Sequence, residues 1–349
     1  MSNIKGGEFV VVGFKGKSVP VELKKLIEKG IAGVVIFTRN YESPEQIHNL
    51  CYEIQSLSKI PLLIFVDQEG GRVLRLKEPF TPFPSMREIG LRDSELLAYS
   101  FGKALGEELY HVGINAVFSP VLDVNTNPMN LVIGDRSLGK DPHKVARLGR
   151  AIIRGLKSVG LLTTGKHFPG HGDTSTDSHH EMPVINHNID RLRNLELIPF
   201  SEAIKEGVDC IMTAHILYAS VDKIFPATLS RVIIKDLLRD EMGFNGLVIT
   251  DDMEMGAIIS HYPVEEAAIL SLKAGCDLVL ICHDYQKQCM AIEGIERAIR
   301  EGKIDRIELE AKQRRIEATR RSLPPVQRFQ KRAFLSILER NRRFIEDLT

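Results

Sequence analysis

The sequence predicts an α/β fold of the (β/α)8 barrel type. Eight short apolar segments alternate along the chain with longer segments whose apolar residues recur at helical spacing. The apolar segments are continuous instead of alternating with polar residues, which is typical of parallel strands covered on both faces. Polar and charged residues directly follow several of these segments. An open, doubly wound sheet remains the alternative, because hydrophobic periodicity does not report whether a sheet closes.

The predicted strands and helices follow one another in alternation. The strands are expected at residues 8–14, 33–37, 61–66, 115–119, 161–165, 210–214, 247–250 and 278–281. The helices are expected at residues 20–29, 43–57, 94–112, 144–159, 195–206, 229–242, 263–274 and 285–301. The second helix has a start signal, because Ser43 precedes Pro44 in the order preferred at a helix amino terminus.

The chain is expected to form one domain, because no low-complexity linker divides it. We assign residues 1–304 to the barrel domain and residues 305–349 to a helical extension packed on the outside of the barrel. The extension is rich in charged residues and is interrupted by Pro324-Pro325. Its apolar residues are Phe329, Phe334, Leu335, Ile337 and Phe344.

The bulk composition is ordinary for a globular protein. Lys plus Arg and Asp plus Glu each total 46, so the zero net charge gives no electrostatic reason to expect nucleic acid or a membrane as partner. No apolar run reaches the ~20 residues of a membrane helix, and residues 1–7 lack the features of a signal peptide. The five cysteines are irregularly spaced, which favours reduced, buried thiols. We therefore expect a cytoplasmic monomer.

Polar residues concentrate where the predicted strands end, and the reactive groups of a barrel gather at these carboxyl ends. One charged strand end alone would be explained by solvation, but several convergent ends favour a functional site. These ends carry residues 67–72, Asp123, residues 166–173, Met212 with His215, and Asp251-Asp252.

The loop after the fifth strand is rich in glycine, so its backbone can bend tightly and approach a ligand. It contains Asp177-Ser178-His179, in which the carboxylate can bond the imidazole, fix its tautomer and raise its basicity. His179 is therefore a candidate proton donor and acceptor. Metal binding is the competing interpretation, but the intervals of three and then seven residues between successive histidines match no zinc pattern that we would accept. These histidines are His167, His171, His179 and His180.

Asp251 and Asp252 end an apolar strand, and successive strand residues point to opposite sides, so only one of the two faces the barrel axis. A carboxylate held at a strand end is rigid, as a covalent nucleophile must be. We assign the nucleophile role to Asp251, and a helix-capping or supporting role to Asp252.

Five motifs carry a family resemblance. The most informative is 166–174 (KHFPGHGDT), followed by the Asp177-Ser178-His179 segment. The other four are 33–40 (GVVIFTRN), 66–73 (VDQEGGRV), 134–137 (GDRS) and 249–253 (ITDDM). Over most of its length the chain resembles the glycoside hydrolase family 3 β-N-acetylglucosaminidases of the NagZ type.

This resemblance implies a barrel that removes terminal N-acetylglucosamine with retention of configuration. Asp251 matches the position of the nucleophile, and His179, oriented by Asp177, matches that of the acid/base. No metal or organic cofactor is needed for this chemistry. The residues that fall where the family holds the sugar are Asp67, Arg75, Arg136, Lys166 and His167, with Met212 and His215 on a further strand end.

The resemblance also implies a carbohydrate substrate from the cell wall, such as GlcNAc-1,6-anhydroMurNAc-peptides, and a role in peptidoglycan recycling. Relatives that act on β-glucosides usually have a second domain with a Glu acid/base, and this chain is too short to hold one. Three alternatives remain: a β-N-acetylglucosaminide phosphorylase on the same scaffold, a zinc-dependent amidohydrolase barrel, and a non-catalytic sugar-binding module. The last is weakened by the absence of Trp, a residue often used to stack on glycans.

Overall fold

Eight parallel strands close into a barrel in residues 4–347, the part of the chain that the computed structural model describes; residues 1–3 and 348–349 lie outside it. Each strand pairs with the strands before and after it in sequence, and the first pairs with the last. The strands are β1 Val10–Gly13, β2 Gly33–Ile36, β3 Leu63–Val66, β4 Ala116–Val117, β5 Leu162–Phe168, β6 Cys210–Thr213, β7 Leu247–Asp252 and β8 Leu278–Ile281. The predicted (β/α)8 barrel is confirmed, and the closed sheet excludes the doubly wound alternative.

Helices surround this barrel, and within residues 4–347 none is both long enough and apolar enough to cross a membrane. One further helix, Val232–Glu241, has wider turns and ends with the Met242 N–H bonded to the Leu237 carbonyl. The α-helices are α1 Val21–Glu28, α2 Pro44–Ser56, α3 Met86–Arg92, α4 Glu95–His111, α5 Pro142–Lys157, α6 Ile189–Asn194, α7 Leu197–Lys205, α8 Gly256–Ile259, α9 Val264–Ala274, α10 Tyr285–Arg300, α11 Arg306–Arg321 and α12 Lys331–Glu346.

The predicted elements have the right type and order and differ from the structure mainly at their ends. β1 starts later than predicted, because Gly6–Phe9 form a turn of 3-10 helix. β5 and β7 run further than predicted, to Phe168 and Asp252. His167 and Asp251 are therefore held by strands and not by the loops that follow them.

Three short helices, α3, α6 and α8, were not predicted. α6 and α8 span less than two turns each, which is too short to produce a periodic pattern. α3 does have a start signal: the Glu88 N–H donates to Ser85 Oγ at 3.3 Å, and the Ser85 N–H donates to Glu88 Oε2 at 2.7 Å. The Ser-x-x-Glu spacing of such a capping box could have revealed this helix.

The two C-terminal helices pack against the outside of the barrel assembly. Phe334 of α12 is buried in the main hydrophobic core. Asn341 of α12 donates to the carbonyl of Ala104 at 3.0 Å and to Glu108 at 2.9 Å, both on α4. The chain between α11 and α12 contains the predicted proline break. The division of the chain after residue 304 into a domain and an extension stays a prediction.

A buried carboxylate before β8 ties α11 to the barrel. Asp277 is fully buried, and its Oδ1 accepts hydrogen bonds from Arg315 of α11 at 3.0 and 2.7 Å. Its Oδ2 accepts the Val248 N–H at 2.8 Å and a hydrogen bond from Arg239. Burial alone would raise the pKa of Asp277, but Arg239, Lys312 and Arg315 lower it below its usual value. The carboxylate is therefore charged and shared between the barrel and α11.

We expect Asp277→Asn to lower the free energy of unfolding by about 3–5 kcal/mol, because Arg239 is then buried without its counter-charge. Urea unfolding at neutral pH measures the loss. The matched control, Asp240→Asn, breaks an exposed ion pair with Lys235 and should cost less than about 1 kcal/mol.

The pH dependence of this loss has a definite sign. Because the pKa of Asp277 is lowered on folding, its stabilisation is present above the usual value of 3.8 and is lost as the pH falls through the lower folded-state value. The difference in the free energy of unfolding between wild type and Asp277→Asn should therefore become smaller as the pH falls through that acidic range. Equal losses from Asp277→Asn and Asp240→Asn at neutral pH would contradict the proposed role of the buried pair.

Candidate active site

A cavity of about 860 Å³ opens at the carboxyl ends of the barrel strands. Its wall contains every site residue predicted from the sequence except His215. These residues come from segments that are far apart in the chain, so the barrel fold brings them together. They are Asp67, Arg75, Arg136, Lys166, His167, Asp177, His179, Met212 and Asp251.

Four charged side chains form a buried network in this wall. Lys166 Nζ donates to Asp67 Oδ1 at 2.8 Å and contacts Glu69 Oε1 at 2.5 Å. Arg136 donates to both carboxylate oxygens of Glu69, each at 2.8 Å. The side chains of Lys166 and Glu69 are 2% and 1% exposed. Charges so far from water are stable only when they are paired and hydrogen-bonded.

Glu69 was not predicted as a site residue. Burial alone would raise its pKa, but Arg136 and Lys166 lower the pKa of Glu69 far below its usual range. The glutamate is therefore ionised and holds two predicted sugar-binding cations in place. The sequence did offer a signal for Glu69, since it lies two residues after Asp67. Side chains at this spacing in an extended segment point to the same face.

Arg75 lies beside this network and contacts it through Asp67. Its Nη2 is 3.4 Å from Asp67 Oδ2, and its guanidinium carbon is 5.8 Å from the centre of the Phe37 ring. Its buried Nε has no hydrogen-bond partner among the described residues. Burial alone would raise the pKa of Asp67, and the charges of Lys166 and Arg75 lower it below its usual value. The wall thus contains an ionised acceptor beside a guanidinium that is 34% exposed.

Asp123 organises the start of the loop after β5. Its Oδ2 is 2.7 Å from His167 Nδ1, and its Oδ1 accepts the His171 N–H at 2.6 Å. Burial alone would raise the pKa of Asp123, but His167 lowers it below its usual value. Asp123 holds Nδ1 of His167, and this orients the ring so that the other ring nitrogen, Nε2, lies 3.5 Å from Arg136 Nη2. The sequence analysis placed Asp123 at a strand end but gave it no role. Its partners His167 and His171 lie more than 40 residues away, and no local sequence pattern links residues at that separation.

Asp251 lies in the cavity wall at the end of β7. Its Oδ1 accepts the Asp252 N–H at 2.8 Å, which fixes the orientation of the carboxylate. Burial alone would raise its pKa. The rings of His215 and His167 and the N–H of Asp252 outweigh that effect, so the pKa of Asp251 lies below its usual value. Asp251 is therefore a rigid, ionised carboxylate at neutral pH.

The neighbouring Asp252 binds backbone. Its Oδ1 accepts the N–H groups of Glu254 and Cys282 at 3.1 and 3.2 Å. Its Oδ2 is 3.2 Å from His283 Nε2 at the cavity edge. Asp252 thereby fixes the turn after β7 and its junction with β8, which is the kind of supporting role expected for it.

His215 corrects one expectation from the sequence. The side chain is fully buried and is absent from the cavity wall. Its Nδ1 is 2.7 Å from Thr228 Oγ1, and its Nε2 is 3.0 Å from the Asp252 carbonyl oxygen. Both ring nitrogens are bonded inside the protein, so His215 supports the strand end at Asp251 and has no polar atom left for a sugar. Met212, on β6, does line the cavity.

Asp177 and His179 lie on the outer part of the wall. His179 Nδ1 is 2.7 Å from Asp177 Oδ1, and the His179 N–H donates to the same oxygen at 2.9 Å. The side chain of His179 is 60% exposed, and that of Asp177 is 40% exposed. The carboxylate therefore holds Nδ1 and leaves Nε2 of His179 available to a substrate.

Within residues 4–347, no three His, Cys, Asp or Glu side chains are grouped in a way that could hold a metal ion. The loop histidines are used differently. His167 is bonded to Asp123, and the ring of His171 lies between Thr174 Oγ1 at 2.9 Å and Ser178 Oγ at 3.0 Å. Two of the four residues considered as zinc ligands, His167 and His171, thus act as hydrogen-bonding groups that shape the loop.

Comparisons with known proteins agree with this geometry. Residues 1–319 match the family described as the Glycosyl hydrolase family 3 N terminal domain. The Beta-hexosaminidase of Nitrosospira multiformis is 41% identical over 283 residues, which are 79% of this chain and 80% of that protein. The Beta-hexosaminidase of Neisseria gonorrhoeae is 38% identical over 269 residues, 75% of this chain and 74% of that protein.

Solved structures give the same result. A glycoside hydrolase family 3 β-N-acetylglucosaminidase from a Paenibacillus species has a TM-score of 0.91 at 39% identity, covering 98% of this chain and 68% of that one. Native NagZ from Neisseria gonorrhoeae has a TM-score of 0.81 at 32% identity, covering 100% and 99% of the two chains. The chain therefore belongs to glycosyl hydrolase family 3, the family that its motifs predict, and is similar along most of its length to β-hexosaminidases.

Proposed function

We propose that this β-N-acetylhexosaminidase is a retaining exo-enzyme that releases terminal, non-reducing N-acetylglucosamine from β-linked cell-wall fragments such as GlcNAc-1,6-anhydroMurNAc-peptides. One observation carries the proposal: a single cavity is lined by the strand-end carboxylate Asp251 and by the Asp177–His179 pair. A nucleophile and a proton carrier facing one sugar site are what double displacement requires. The usual rule that reads the mechanism from the distance between two carboxyl groups does not apply, because the proton carrier is an imidazole.

In the first step, the Asp251 carboxylate attacks the anomeric carbon while protonated His179 gives its Nε2 proton to the leaving oxygen. The glycosidic bond breaks and a glycosyl ester forms. In the second step, neutral His179 takes a proton from water, and the water oxygen displaces Asp251 from the anomeric carbon. The lowered pKa of Asp251 keeps the nucleophile ionised. Asp177 stabilises the imidazolium that gives up its proton in the first step and forms again in the second.

The sugar would be held by the buried part of the wall. Asp67 offers a carboxylate to sugar hydroxyl groups, and Arg75 offers its guanidinium, since its side chain lines the cavity and is 34% exposed. Lys166, Arg136 and His167 lie in the same buried region. Because these side chains are fixed by one another, they would bind a terminal sugar without reorganising. A wall of paired charges also opposes extension of the glycan beyond that sugar, which supports exo action.

The leaving group would lie toward the outer wall. Met129 and Leu131 line the cavity there, and their side chains are 76% and 80% exposed. His179, which would protonate the leaving oxygen, is also on the exposed side. An apolar, open rim suits a bulky aglycone such as an anhydro sugar carrying a peptide.

We further propose that the enzyme works as a cytoplasmic monomer. The five cysteines are unpaired in the described chain, and four of them are buried, as expected in a reducing compartment. The proposed nucleophile and the proposed acid/base pair line one cavity of a single chain, which supports a monomer.

The nucleophile assignment predicts that Asp251→Asn lowers kcat by about 10⁴-fold or more, the scale seen when a covalent nucleophile is removed. A 2-fluoro or 5-fluoro glycoside should label the wild-type protein, and peptide mass mapping should find the sugar on Asp251. The Asp252→Asn control should be labelled and should retain far more activity, because an amide oxygen can still accept its backbone hydrogen bonds. A label on another residue would remove the assignment.

The proton-carrier assignment predicts a dependence on the leaving group. His179→Ala should slow a natural disaccharide by about 10²–10⁴-fold, because a poor leaving group needs its proton. For dinitrophenyl glycosides, whose leaving group needs no protonation, kcat/KM should fall much less, because kcat/KM reports only the first displacement. Steady-state kinetics on the two substrates measures the contrast. Equal losses on both would show that His179 is not the general acid.

Hydrolysis, as opposed to phosphorolysis, predicts free N-acetylglucosamine as the product with or without phosphate. Asp177, which is bonded to the proposed proton carrier, lines the cavity and is 40% exposed, so its charge opposes a phosphate anion there. Product analysis by NMR in both buffers distinguishes the outcomes. Accumulation of sugar-1-phosphate at millimolar phosphate would make the enzyme a phosphorylase.

A further inference from the structure

We propose that the backbone at Gly256 and Ala257 is the docking surface for the loop that carries His179, and that the absence of a side chain at Gly256 is required for correct placement of the proton carrier. This inference rests on the proposed role of His179. It makes Gly256 a positioning residue, since it lies outside the predicted motifs and acts on the substrate only through the loop.

Two backbone hydrogen bonds join the loop to this surface. The Gly256 N–H donates to the His179 carbonyl at 3.0 Å, and the Ala257 N–H donates to the Ser178 carbonyl at 3.2 Å. Both acceptors belong to the Asp177-Ser178-His179 segment. The bonds therefore fix the backbone of the proton carrier relative to the segment that directly follows the nucleophile strand.

The contact leaves no room for a side chain at Gly256. A Cβ there would lie 2.5 Å from the His180 carbonyl oxygen and 2.7 Å from that of His179. The backbone of Gly256 is not in the left-handed region that favours glycine, and the residue starts helix α8. The conformation of this position is therefore open to any L-residue, and the loop is what requires glycine.

The opposite side of the same segment is also held. Ser178 is buried, and its Oγ is 3.0 Å from His171 Nε2. The backbone of His171 is bonded in turn to the buried Asp123. Burial lowers the pKa of His171 to about 4, so its neutral ring bridges the hydroxyl groups of Ser178 and Thr174. Ser178 is thus held between the His171 ring, through its hydroxyl, and the Ala257 N–H, through its carbonyl.

The clamp matters because the reactive side chains have little other support. His179 and Asp177 are largely exposed and are bonded to each other, so their pairing alone does not fix where the pair lies in the cavity. The two backbone hydrogen bonds and the close contact at Gly256 supply that position.

The test compares Gly256→Ala with wild type on two substrates. The added methyl group should push the His179 backbone away, so kcat/KM for the disaccharide N,N′-diacetylchitobiose should fall by about 10- to 100-fold, as expected for a displacement near 1 Å. The kcat/KM for a dinitrophenyl N-acetylglucosaminide, which reports only the first displacement, should change by less than about threefold, because that leaving group does not need the acid. Ser260→Ala, at the exposed end of the same helix, is the matched control and should leave both activities and the melting temperature unchanged.

Equal losses on the two substrates, or no loss on the disaccharide, would overturn the inference. If Gly256→Ala does not fold, Ser178→Ala tests the same clamp from its other side, and the same selective loss is expected; a uniform loss or none overturns the inference there too. His179→Ala separates the two levels of the argument. If His179→Ala loses activity on the disaccharide alone but Gly256→Ala loses activity on both substrates, only the docking surface is wrong. If His179→Ala itself loses activity equally on both substrates, the proposed acid is wrong.

Discussion

The pairing of buried charges in the cavity wall is the constraint on which the rest of the structure depends. Lys166, Asp67, Glu69 and Arg136 come from the ends of two strands and from the connection after β4, and each neutralises another. An unpaired charge at this depth costs several kcal/mol. The network is therefore stable only while these segments keep their relative positions. A closed barrel enforces this, because a strand cannot slide without breaking its register with both neighbours.

The proposed nucleophile and proton carrier have different kinds of support, and the chemistry explains the difference. Asp251 must hold one carbon through two displacements, and a strand end within a closed sheet is the most rigid position available to it. His179 must act on two oxygens in turn, those of the leaving group and of water. A carboxylate two residues away on the same loop keeps the imidazole oriented wherever the loop lies. A loop docked on the barrel thus positions His179 in the cavity, although His179 itself is not part of a strand.

The sequence predicted the barrel because its strands are buried on both faces and appear as continuous apolar runs. It predicted most of the cavity wall because the polar residues directly follow those runs. It missed the roles of Glu69 and Asp123, whose partners lie in distant segments, so nothing in their neighbourhoods shows the contact. It misplaced His215 because a strand end can point a side chain into the cavity or behind it, and a difference of one residue decides which.

The position of the cations also explains how Asp251 can remain reactive in a wall rich in positive charge. A carboxylate bonded directly to Lys or Arg would have to break that ion pair before its oxygen could attack carbon. Lys166 and Arg136 are bonded to Asp67 and Glu69. Within residues 4–347, the side chain of Asp251 forms no ion pair, and its Oδ1 accepts only the N–H of the next residue. The rings of His215 and His167 and the more distant Lys166 therefore favour the ionised form of Asp251, while Asp67 and Glu69 keep Lys166 from occupying its lone pairs.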